Sequence, residues 1–383
     1  MVDKLKDDIT APEVANAGND DDARITVITL MTGFRDRVVS DADINIETIL
    51  EKLESPETTL TPDELALLIS LKDPEKLKRL YEMARKKREF LYGRDVFLRA
   101  VIEISNYCRR TCKFCGNTAS NRTLPRYRAD FTDVFNQAKI AKSLGIDLIH
   151  LASGEDMGLE KDSLTEAVRR INEELGCTVE LAVGSRPLED YQEFHEAGAR
   201  RSILKFETTN LDIFNEMKPH EKLGERLLLL LRLRNIGFKI GTGNIIGLPG
   251  QEPKDIAHDL LATTHLSPDM ASTSIFTPNK DSVLREYPKG NEQMGLNYIA
   301  LLKILMGEKR ISIPTNSTLG KDGKYQALEL GALELSLNMT PGSEEKKYSL
   351  YDGRERVKVG LDELQGNIRK HGFTIKSFSE MFL

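Results

Sequence analysis

Several features that define other classes of protein are missing from this sequence. It contains no tryptophan, and no apolar run approaches the roughly 18 residues that a membrane-spanning helix needs. The first residues are polar and acidic rather than basic and then apolar, which argues against a secretory signal peptide. A net charge of −6 argues against nucleic acid as a partner, because phosphate binding requires a basic surface. We therefore expect a cytoplasmic protein that binds neither membranes nor nucleic acid.

Cysteine is scarce, and its distribution is uneven. Of four cysteines, Cys108, Cys112 and Cys115 fall within one short stretch, and Cys177 stands alone. A secreted disulfide scaffold spreads paired cysteines along its chain, whereas clustered thiols in a cytosolic protein indicate a metal site. Cys177 is predicted to be a small buried residue.

The chain divides into segments of different pattern. Residues 1–24 are small, polar and acidic, and we predict that they are disordered. Residues 25–96 are predicted to form a helical N-terminal extension, in which Thr61-Pro62-Asp63-Glu64 has the form of a capped helix start. Residues 97–345 are predicted to form the main domain, and residues 346–383 a terminal helix and a C-terminal capping segment.

The main domain contains eight candidate strands separated by helical patterns. They are Leu98–Ser105, Asp147–Ala152, Thr178–Gly184, Ser202–Phe206, Lys239–Gly247, Met270–Phe276, Ile311–Thr315 and Leu333–Asn338. Strands that alternate with helices form parallel βαβ units, and eight such units close into a barrel. The sequence therefore predicts an α/β protein with a (β/α)8 TIM-type barrel, and an open doubly wound sheet is the alternative.

The clustered cysteines follow the first candidate strand with the spacing C-x3-C-x2-C. In a TIM barrel the loop after a strand lies at the carboxyl-terminal face, where active sites are found. Three thiolates there can ligate three irons of a four-iron four-sulfur (4Fe-4S) cluster, and the fourth iron stays open for a small ligand. The alternative is a structural zinc site whose fourth ligand is a histidine or Cys177.

The stretch SNYCRRTCKFCG, residues 105–116, resembles the cluster loop of the radical S-adenosylmethionine (SAM) superfamily. The resemblance implies that Cys108, Cys112 and Cys115 hold the cluster and that SAM chelates its open iron. Reductive cleavage of SAM then gives methionine and a 5′-deoxyadenosyl radical. It also implies cofactor contacts for the two aromatic residues of the loop, Tyr107 and Phe114.

Two motifs on later strands support the resemblance. Ser153-Gly154-Glu155, after the second strand, is similar to the family's contact with the SAM amino group, because a carboxylate suits an ammonium donor. An ordinary glycine turn before a helix is the alternative. Glu207, in the stretch ETTN after the fourth strand, matches the family's contact with the ribose hydroxyls.

Three further positions complete the expected cofactor site. Arg226 matches a family position that pairs with the SAM carboxylate, and a solvated helix arginine is the alternative. The turn GNIIGLPGQ, residues 243–251, is similar to the family's adenine site, which implies contacts from Ile246 and Gly247. Arg186, after the third strand, is either an anion contact at the barrel mouth or a surface arginine.

Within the superfamily, the chain is most similar to the biotin synthase-like branch, over residues 60 to 375. RYR, SGED, ETTN and GLPGQ resemble the radical SAM maturase of iron-only hydrogenase, and methylornithine synthase is the second resemblance. A single spare cysteine makes sulfur insertion from a second cluster unexpected.

These resemblances imply different functions. The maturase resemblance implies a small substrate of metallocofactor assembly and a reductant such as flavodoxin or ferredoxin. The second resemblance implies an amino-acid mutase, although the sixth strand, residues 271–276, has no charge with which to bind a zwitterion. A non-catalytic barrel with a structural metal site is the third alternative.

Overall fold

The helical extension precedes the first strand. The structure is a computed structural model that describes residues 17–32, 45–55, 59–342, 344–351 and 361–383. Within these ranges the extension consists of α1 Ala17–Thr32, α2 Ile46–Glu54, α3 Pro62–Ile69 and α4 Pro74–Tyr92. Thr61 and Glu64 form the capping box that the sequence indicates at the start of α3, so two backbone N–H groups at this end are satisfied.

Helix α1 corrects part of the predicted disordered N-terminus. Residues 17–24 are helical, and residues 1–16 lie outside the described residues. Val27, Leu30 and Met31 of α1 are buried, and the helix packs against a later helix, Leu223–Ile236. Because this apolar contact exists only in the folded chain, the polar composition of the segment did not predict the helix.

Seven parallel strands form a sheet in the order β6-β5-β4-β3-β2-β1-β7. The strands are β1 Asp95–Ser105, β2 Leu148–Ser153, β3 Thr178–Ala182, β4 Ala199–Ile203, β5 Lys239–Ile246, β6 Met270–Ile275 and β7 Glu334–Asn338. The helices between them are α5 Phe131–Ser143, α6 Lys161–Leu175, α7 Leu188–Glu196, α8 Leu211–Met217, α9 Leu223–Ile236, α10 Pro253–Leu266, α11 Glu292–Leu305 and α12 Gly320–Leu330. No helix in the described ranges is long and apolar enough to cross a membrane.

The predicted seventh strand, Ile311–Thr315, is an extended segment rather than a regular strand. It makes single parallel bridges, from Ser312 to Met270 of β6 and from Pro314 to Glu334 of β7. Proline has no N–H to donate, which limits the ladder at this position. The two bridges nevertheless join β6 to β7, and they close the (β/α)8 barrel that the sequence predicts.

A layer of buried charges crosses the barrel interior. Arg99 of β1 contacts Glu180 of β3 at 2.8 Å and Glu334 of β7 at 2.7 Å. Arg201 and His150 also contact Glu180, at 2.7 and 2.8 Å. Burial alone would raise the pKa of Glu180, but Arg201 and Arg99 hold it well below its ordinary value. Burial lowers the pKa of His150 and raises that of Glu334, so the charge is carried chiefly by Arg99, Arg201 and Glu180. These five residues, called the charged layer, form the floor of the space above them.

The C-terminal segment covers the amino-terminal end of the barrel. Its last helix places Phe378 and Phe382 against Phe97 of β1, with ring centroids 5.4 and 5.6 Å apart. Asp147 accepts a hydrogen bond of 2.7 Å from the backbone N–H of Phe378. The elements of this segment are α13 Leu361–Lys370, β8 Thr374–Lys376, which pairs with β1, and α14 Phe378–Phe382. The carboxyl-terminal end is thus the end where a ligand can enter.

A buried amine lies where the extension packs on the barrel. Lys303 of α11 is fully buried, and its Nζ lies 4.5 Å from the centroid of the Tyr92 ring. Within the described part of the chain, this Nζ has no hydrogen-bond partner. Burial lowers the pKa of Lys303 to about 7, and the neighbouring cation Arg88 acts in the same direction.

We expect Lys303→Met to change how stability depends on pH. In the unfolded chain a lysine keeps its proton up to about pH 10.4, whereas folded Lys303 loses its proton near pH 7. The unfolded state therefore binds more protons between these values, and the free energy of unfolding of the parent protein rises with pH there. Urea unfolding at several pH values should show this rise in the parent and in the exposed control Lys78→Met, and a smaller rise in Lys303→Met. Equal slopes in all three proteins would contradict the assignment.

Candidate active site

The three clustered cysteines lie on the loop after β1, at the carboxyl-terminal end of the barrel. Cys108 Sγ accepts hydrogen bonds from the backbone N–H groups of Arg110 and Glu155, both at 3.4 Å. Cys112 Sγ lies 3.4 Å from the buried Nζ of Lys218. Two of the sulfur atoms thus already have donors that suit a thiolate.

Burial raises the pKa of two thiols in this loop. The pKa of Cys112 is raised by burial, although Lys218 opposes the shift, and that of Cys115 is raised to about 12. Without a metal, the thiols of Cys112 and Cys115 are therefore protonated at neutral pH. Metal binding has to displace these protons, which makes the affinity for metal dependent on pH.

Arg126 fixes the backbone of the cysteine loop and of the segment that follows it. Its guanidinium donates to the carbonyl oxygens of Asn106, Asn117, Thr118 and Asn121, the last three at 2.8, 2.6 and 2.9 Å. Only the planar, five-donor guanidinium can serve so many acceptors at once. The first arginine of the RYR motif therefore shapes the loop that carries the cysteines.

The loop after β2 packs directly on the cysteine loop. A Cβ atom at Gly154 would lie 2.2 Å from the carbonyl oxygen of Tyr107 and 2.7 Å from Cys108 Cβ, so only glycine fits. A Cβ at Gly184, after β3, would lie 2.0 Å from Glu155 Cγ. These two glycines let the Glu155 carboxylate enter the site beside the cysteines.

Two buried carboxylates lie among three cations next to the cysteines. Arg226 Nη1 is 3.3 Å from Glu155 Oε1, and it also pairs with Glu221. Lys218 Nζ is 3.0 Å from Glu221 Oε2, and Arg110 pairs with Glu155. Burial would raise the pKa of Glu221, but Arg226 and Lys218 lower it to about 2. Arg226 is thus a buried member of the site and not a solvated helix arginine.

Glu207 occupies a strained position after β4. Its φ is 68°, in the left-handed region that non-glycine residues rarely adopt. The strain is held by two backbone hydrogen bonds to β5, to Gly243 O at 3.0 Å and from Ile245 N at 2.7 Å. Such strain costs about 1–3 kcal/mol and clusters at functional sites. Lys205 Nζ lies 3.2 Å from the Glu207 carboxylate.

The two isoleucines of β5 have different surroundings. The side chain of Ile246 is fully buried in the main core, whereas Ile245 lies in an apolar cluster with Leu248 and Phe114 of the cysteine loop. Side chains alternate along a strand, so the side chain beside the cysteine loop is that of Ile245. The predicted cofactor contact of Ile246 stays a prediction. Gly247 donates its N–H to Gln251 Oε1 at 2.7 Å.

The remaining predicted residues lie at the rim. The ring of Tyr107 is 38% exposed and lies 4.2 Å from the Arg128 guanidinium. Ser153 ends β2 beside the cysteine loop. Arg186 is buried rather than a surface arginine: its guanidinium pairs with the Asp190 carboxylate at 2.8 Å and donates to the carbonyl oxygen of Asp156 at 3.0 Å. Its guanidinium positions the loop after β2.

Several residues of the site were not predicted. Lys218 and Glu221 come from the connection between α8 and α9, and Arg110 from within the cysteine loop. Charged residues in connections are usually solvated, so the sequence carried no signal for them. Arg126 had one signal, the RYR motif, but its role in holding four carbonyl groups depends on the folded loop.

The donor set fits a cluster with three protein ligands. In the described part of the chain, no three histidine, cysteine or acidic side chains converge closely enough to hold one metal ion. In a cubane cluster each thiolate ligates a different iron, so the ligands do not need to converge on one point. Three thiols on a short loop, with N–H donors at Cys108, match that requirement.

A closed parallel barrel with such a loop at its carboxyl-terminal end defines a cofactor-dependent (β/α)8-barrel enzyme. A family model described as "Radical SAM superfamily" matches residues 102–262. The [FeFe] hydrogenase maturase subunit HydE of Thermotoga maritima is 34% identical over 307 residues, which are 80% of this chain and 87% of that protein. The chain belongs to the radical SAM superfamily. As a radical SAM enzyme it uses a 4Fe-4S cluster and SAM.

Two further comparisons support this family and its fold. The 3-methylornithine synthase of Methanosarcina barkeri is 28% identical over 296 residues, 76% of this chain and 83% of that protein. The crystal structure of methylornithine synthase (PylB) superposes with a TM-score of 0.77 at 23% identity, over 88% of this chain and 98% of that one. This superposition agrees with the (β/α)8 barrel. The alternatives of an open sheet and of a non-catalytic barrel are therefore set aside.

We expect Arg126→Lys to impair cluster assembly. A lysine cannot donate to four carbonyl groups in the fixed geometry of a guanidinium, so the cysteine loop should lose its shape. Iron and sulfide per chain after anaerobic reconstitution should fall several-fold. The neighbouring exposed arginine gives a matched control, Arg122→Lys, which should load normally. Normal iron content in Arg126→Lys would show that the loop does not need this side chain.

Proposed function

We propose that this enzyme acts on a small substrate inside the barrel and serves metallocofactor assembly, as the name of its relative HydE indicates. The observation that carries the proposal is the 34% identity to HydE over 307 residues, against 28% over 296 residues for 3-methylornithine synthase. The site residues and the barrel lumen support it, as follows.

Cys108, Cys112 and Cys115 would hold the cluster. When bound, the cluster supplies the electron that cleaves SAM to methionine and a 5′-deoxyadenosyl radical. Glu155 suits the SAM ammonium group, and Arg226 suits its carboxylate. These two side chains lie 3.3 Å apart and pair with each other in the protein alone. On binding, the SAM ammonium group would pair with Glu155 and the SAM carboxylate with Arg226, in place of the pair between these two side chains. No buried charge is then left unpaired.

The nucleoside half of SAM would lie along β4 and β5. Glu207 is the candidate acceptor for the ribose hydroxyls. The adenine would find an apolar surface in the side chains of Ile245 and Phe114. Gly247 has no side chain, so the backbone there could approach the ring closely. Ile246 lies behind these residues in the core. Tyr107, Ser153 and Gly154 complete the wall beside the cysteines. The strained backbone at Glu207 supports this assignment, because strain of this kind is kept where geometry matters.

Above the charged layer, the lumen is polar and open. Ser336 of β7 is exposed although it lies within the barrel wall, and Arg99 of the floor donates to its Oγ at 3.0 Å. Ser272 and Ser274 of β6 are only partly buried, and Lys205 Nζ donates to Ser274 Oγ at 3.3 Å. The uncharged β6 therefore faces a cation from the segment after β4. This lining suits a small polar molecule that carries a carboxylate or another anion.

We also propose an external reductant and a location. The cysteine loop presents Arg109 and Lys113 on its outer side, with 46% and 34% of their side chains exposed. Positive charge beside the cluster site would guide a small acidic electron-transfer protein, which supports flavodoxin or ferredoxin as donor. The cytoplasm is the compartment where such donors keep a low potential.

An amino-acid mutase of the methylornithine synthase type is the second candidate. The 28% identity to the Methanosarcina barkeri enzyme favours it. Lys205 at the lumen gives this candidate a partner for a substrate carboxylate. A substrate ammonium group would also need an anionic side chain, and the nearby candidate is Glu207. In our assignment Glu207 already binds the ribose of SAM. The maturase function therefore fits the lumen better.

Replacing one cysteine of the loop tests the chemistry. We expect Cys112→Ala to lose most of its iron and all measurable 5′-deoxyadenosine formation with SAM and a strong reductant, because two thiolates do not hold the cluster stably. Cys177 is buried in the core away from the loop, so Cys177→Ala is the matched control and should keep both. Unchanged 5′-deoxyadenosine formation in Cys112→Ala would rule out the assigned cluster site.

Product analysis separates the two candidate functions. With an iron–cysteine complex, the substrate that the maturase resemblance implies, we expect SAM-dependent consumption of the complex. With lysine we expect only the slow background formation of 5′-deoxyadenosine and no rearranged amino acid. Mass spectrometry of anaerobic reactions measures both. A rearranged diamino acid formed from lysine would favour the mutase and contradict the assembly function.

A further inference from the structure

The buried carboxylate of Asp259, on α10, lies behind the proposed nucleoside site. It is fully buried, and both of its oxygens accept hydrogen bonds. Oδ1 accepts from the backbone N–H and the Oγ1 of Thr209, both at 2.7 Å, and from Thr208 Oγ1 at 3.5 Å. Oδ2 accepts from Asn244 Nδ2 at 3.2 Å and lies 3.5 Å from Gln251 Nε2.

These donors come from the two segments that flank the proposed nucleoside. Thr209 lies two residues after Glu207, in the stretch ETTN. Asn244 forms the isolated bridge to Glu207, and its neighbour is Ile245. Gln251 accepts from Gly247 N–H at 2.7 Å and donates to Ile245 O at 3.0 Å, so it holds the turn after β5. One carboxylate thus joins the ribose side of the site to its adenine side.

We propose that Asp259 is a positioning residue for SAM, which sets the spacing between Glu207 and the Ile245–Gly247 turn. This inference rests on the proposed SAM contacts of those residues. Two features of the contact require a carboxylate. Both carboxylate oxygens face donors, Thr209 N–H on one side and the Asn244 amide on the other. Burial raises the pKa of Asp259 to about 7, and these donors oppose the shift because they favour the ionised form. The strained backbone of Glu207 also has to be held by its surroundings, and the Thr209 N–H bond fixes the residues directly after it.

A change to asparagine keeps the size of the side chain but replaces one acceptor with a donor. The new amide N–H₂ would face either the Thr209 donors or those of Asn244 and Gln251. Two donors cannot bond to each other, so residue 259 has to lose its bonds to one of the two segments that it joins. The cysteine loop does not contact Asp259 through any of these bonds. The expected consequence is therefore weaker SAM binding with an intact cluster.

The test is a double-mutant cycle on the cluster-loaded enzyme. SAM dissociation constants are measured by anaerobic equilibrium dialysis for the parent, Asp259→Asn, Glu207→Gln and the double variant. We expect each single change to weaken SAM binding about tenfold, roughly 1.4 kcal/mol. The loss of SAM affinity in the double variant should be much smaller than the product of the two single losses. Asp259 acts in part through the Glu207 contact, which Glu207→Gln already removes. The KM for SAM should rise more than the turnover number falls.

A control separates positioning from general damage to the barrel. Asp147 is also buried, but it lies at the amino-terminal end, where it accepts from Phe378 N–H. Asp147→Asn should lower the thermal stability and leave SAM binding and iron content unchanged. If Asp259→Asn does not fold, Gln251→Ala removes one of the two donors to Asp259 Oδ2 and the bonds that hold the turn after β5, and it should show the same coupling to Glu207→Gln.

The outcomes distinguish the positioning role of Asp259 from the SAM contacts on which it rests. Weak binding in Glu207→Gln with normal binding in Asp259→Asn would overturn the positioning role and leave the SAM contacts in place. Strictly multiplicative effects in the double variant would also overturn it. Normal binding in Glu207→Gln would overturn the nucleoside site itself, and the role of Asp259 with it.

Discussion

The closure of the parallel barrel is the constraint on which the site depends. Every strand of the wall runs in the same direction, so the segments after β1, β2, β4 and β5 all emerge at one end. Phe114 of the cysteine loop and Leu248 after β5 pack together there, although they are distant in sequence. Two single bridges, through Ser312 and Pro314, are enough to join β6 to β7. The aromatic residues of α14 cover the opposite end of the barrel.

Buried charges are paired differently in the charged layer and beside the cysteines. In the charged layer, Glu180 and Glu334 lie against Arg99 and Arg201, and each carboxylate keeps its protein partners. A buried pair of this kind adds little net stability but is costly to break, so it forms a fixed floor. Near the cysteines, Arg226 pairs with Glu155 at a longer 3.3 Å. We propose that these are the charges that a zwitterionic cofactor would separate.

Local sequence features predicted much of the fold but not every element. The alternation of apolar runs and amphipathic segments indicated the barrel, because side-chain period follows local backbone geometry. Residues 17–24 of helix α1 were predicted as disordered, because the helix is stabilised by packing on α9 rather than by its own composition. The segment 311–315 has the pattern of a strand, yet Pro314 restricts it to isolated bridges. A partner distant in sequence decided the first outcome, and a proline within the segment limited the second.

In the candidate site, too, local sequence features predicted some residues and not others. The spacing of the cysteines and the ETTN and GLPGQ stretches located the cluster loop, Glu207 and the turn of β5. They did not show that Ile245 packs beside Phe114 while Ile246 is buried in the main core, because both fit an apolar strand. They also did not show that Arg186 holds a loop, or that Asp259 joins two segments.

The sequence by itself determined the class of this protein. Cysteine spacing, strand rhythm and glycine turns are local properties, and each is readable without knowing its neighbours in space. The tertiary structure decided which charged side chains are buried and with which partners. Lys218, Glu221, Arg126 and Asp259 belong to the site only because the closed barrel brings four loops together. Charge and hydrogen-bond partners are properties of three-dimensional contact, and contact between distant residues is not written in the local pattern of a chain.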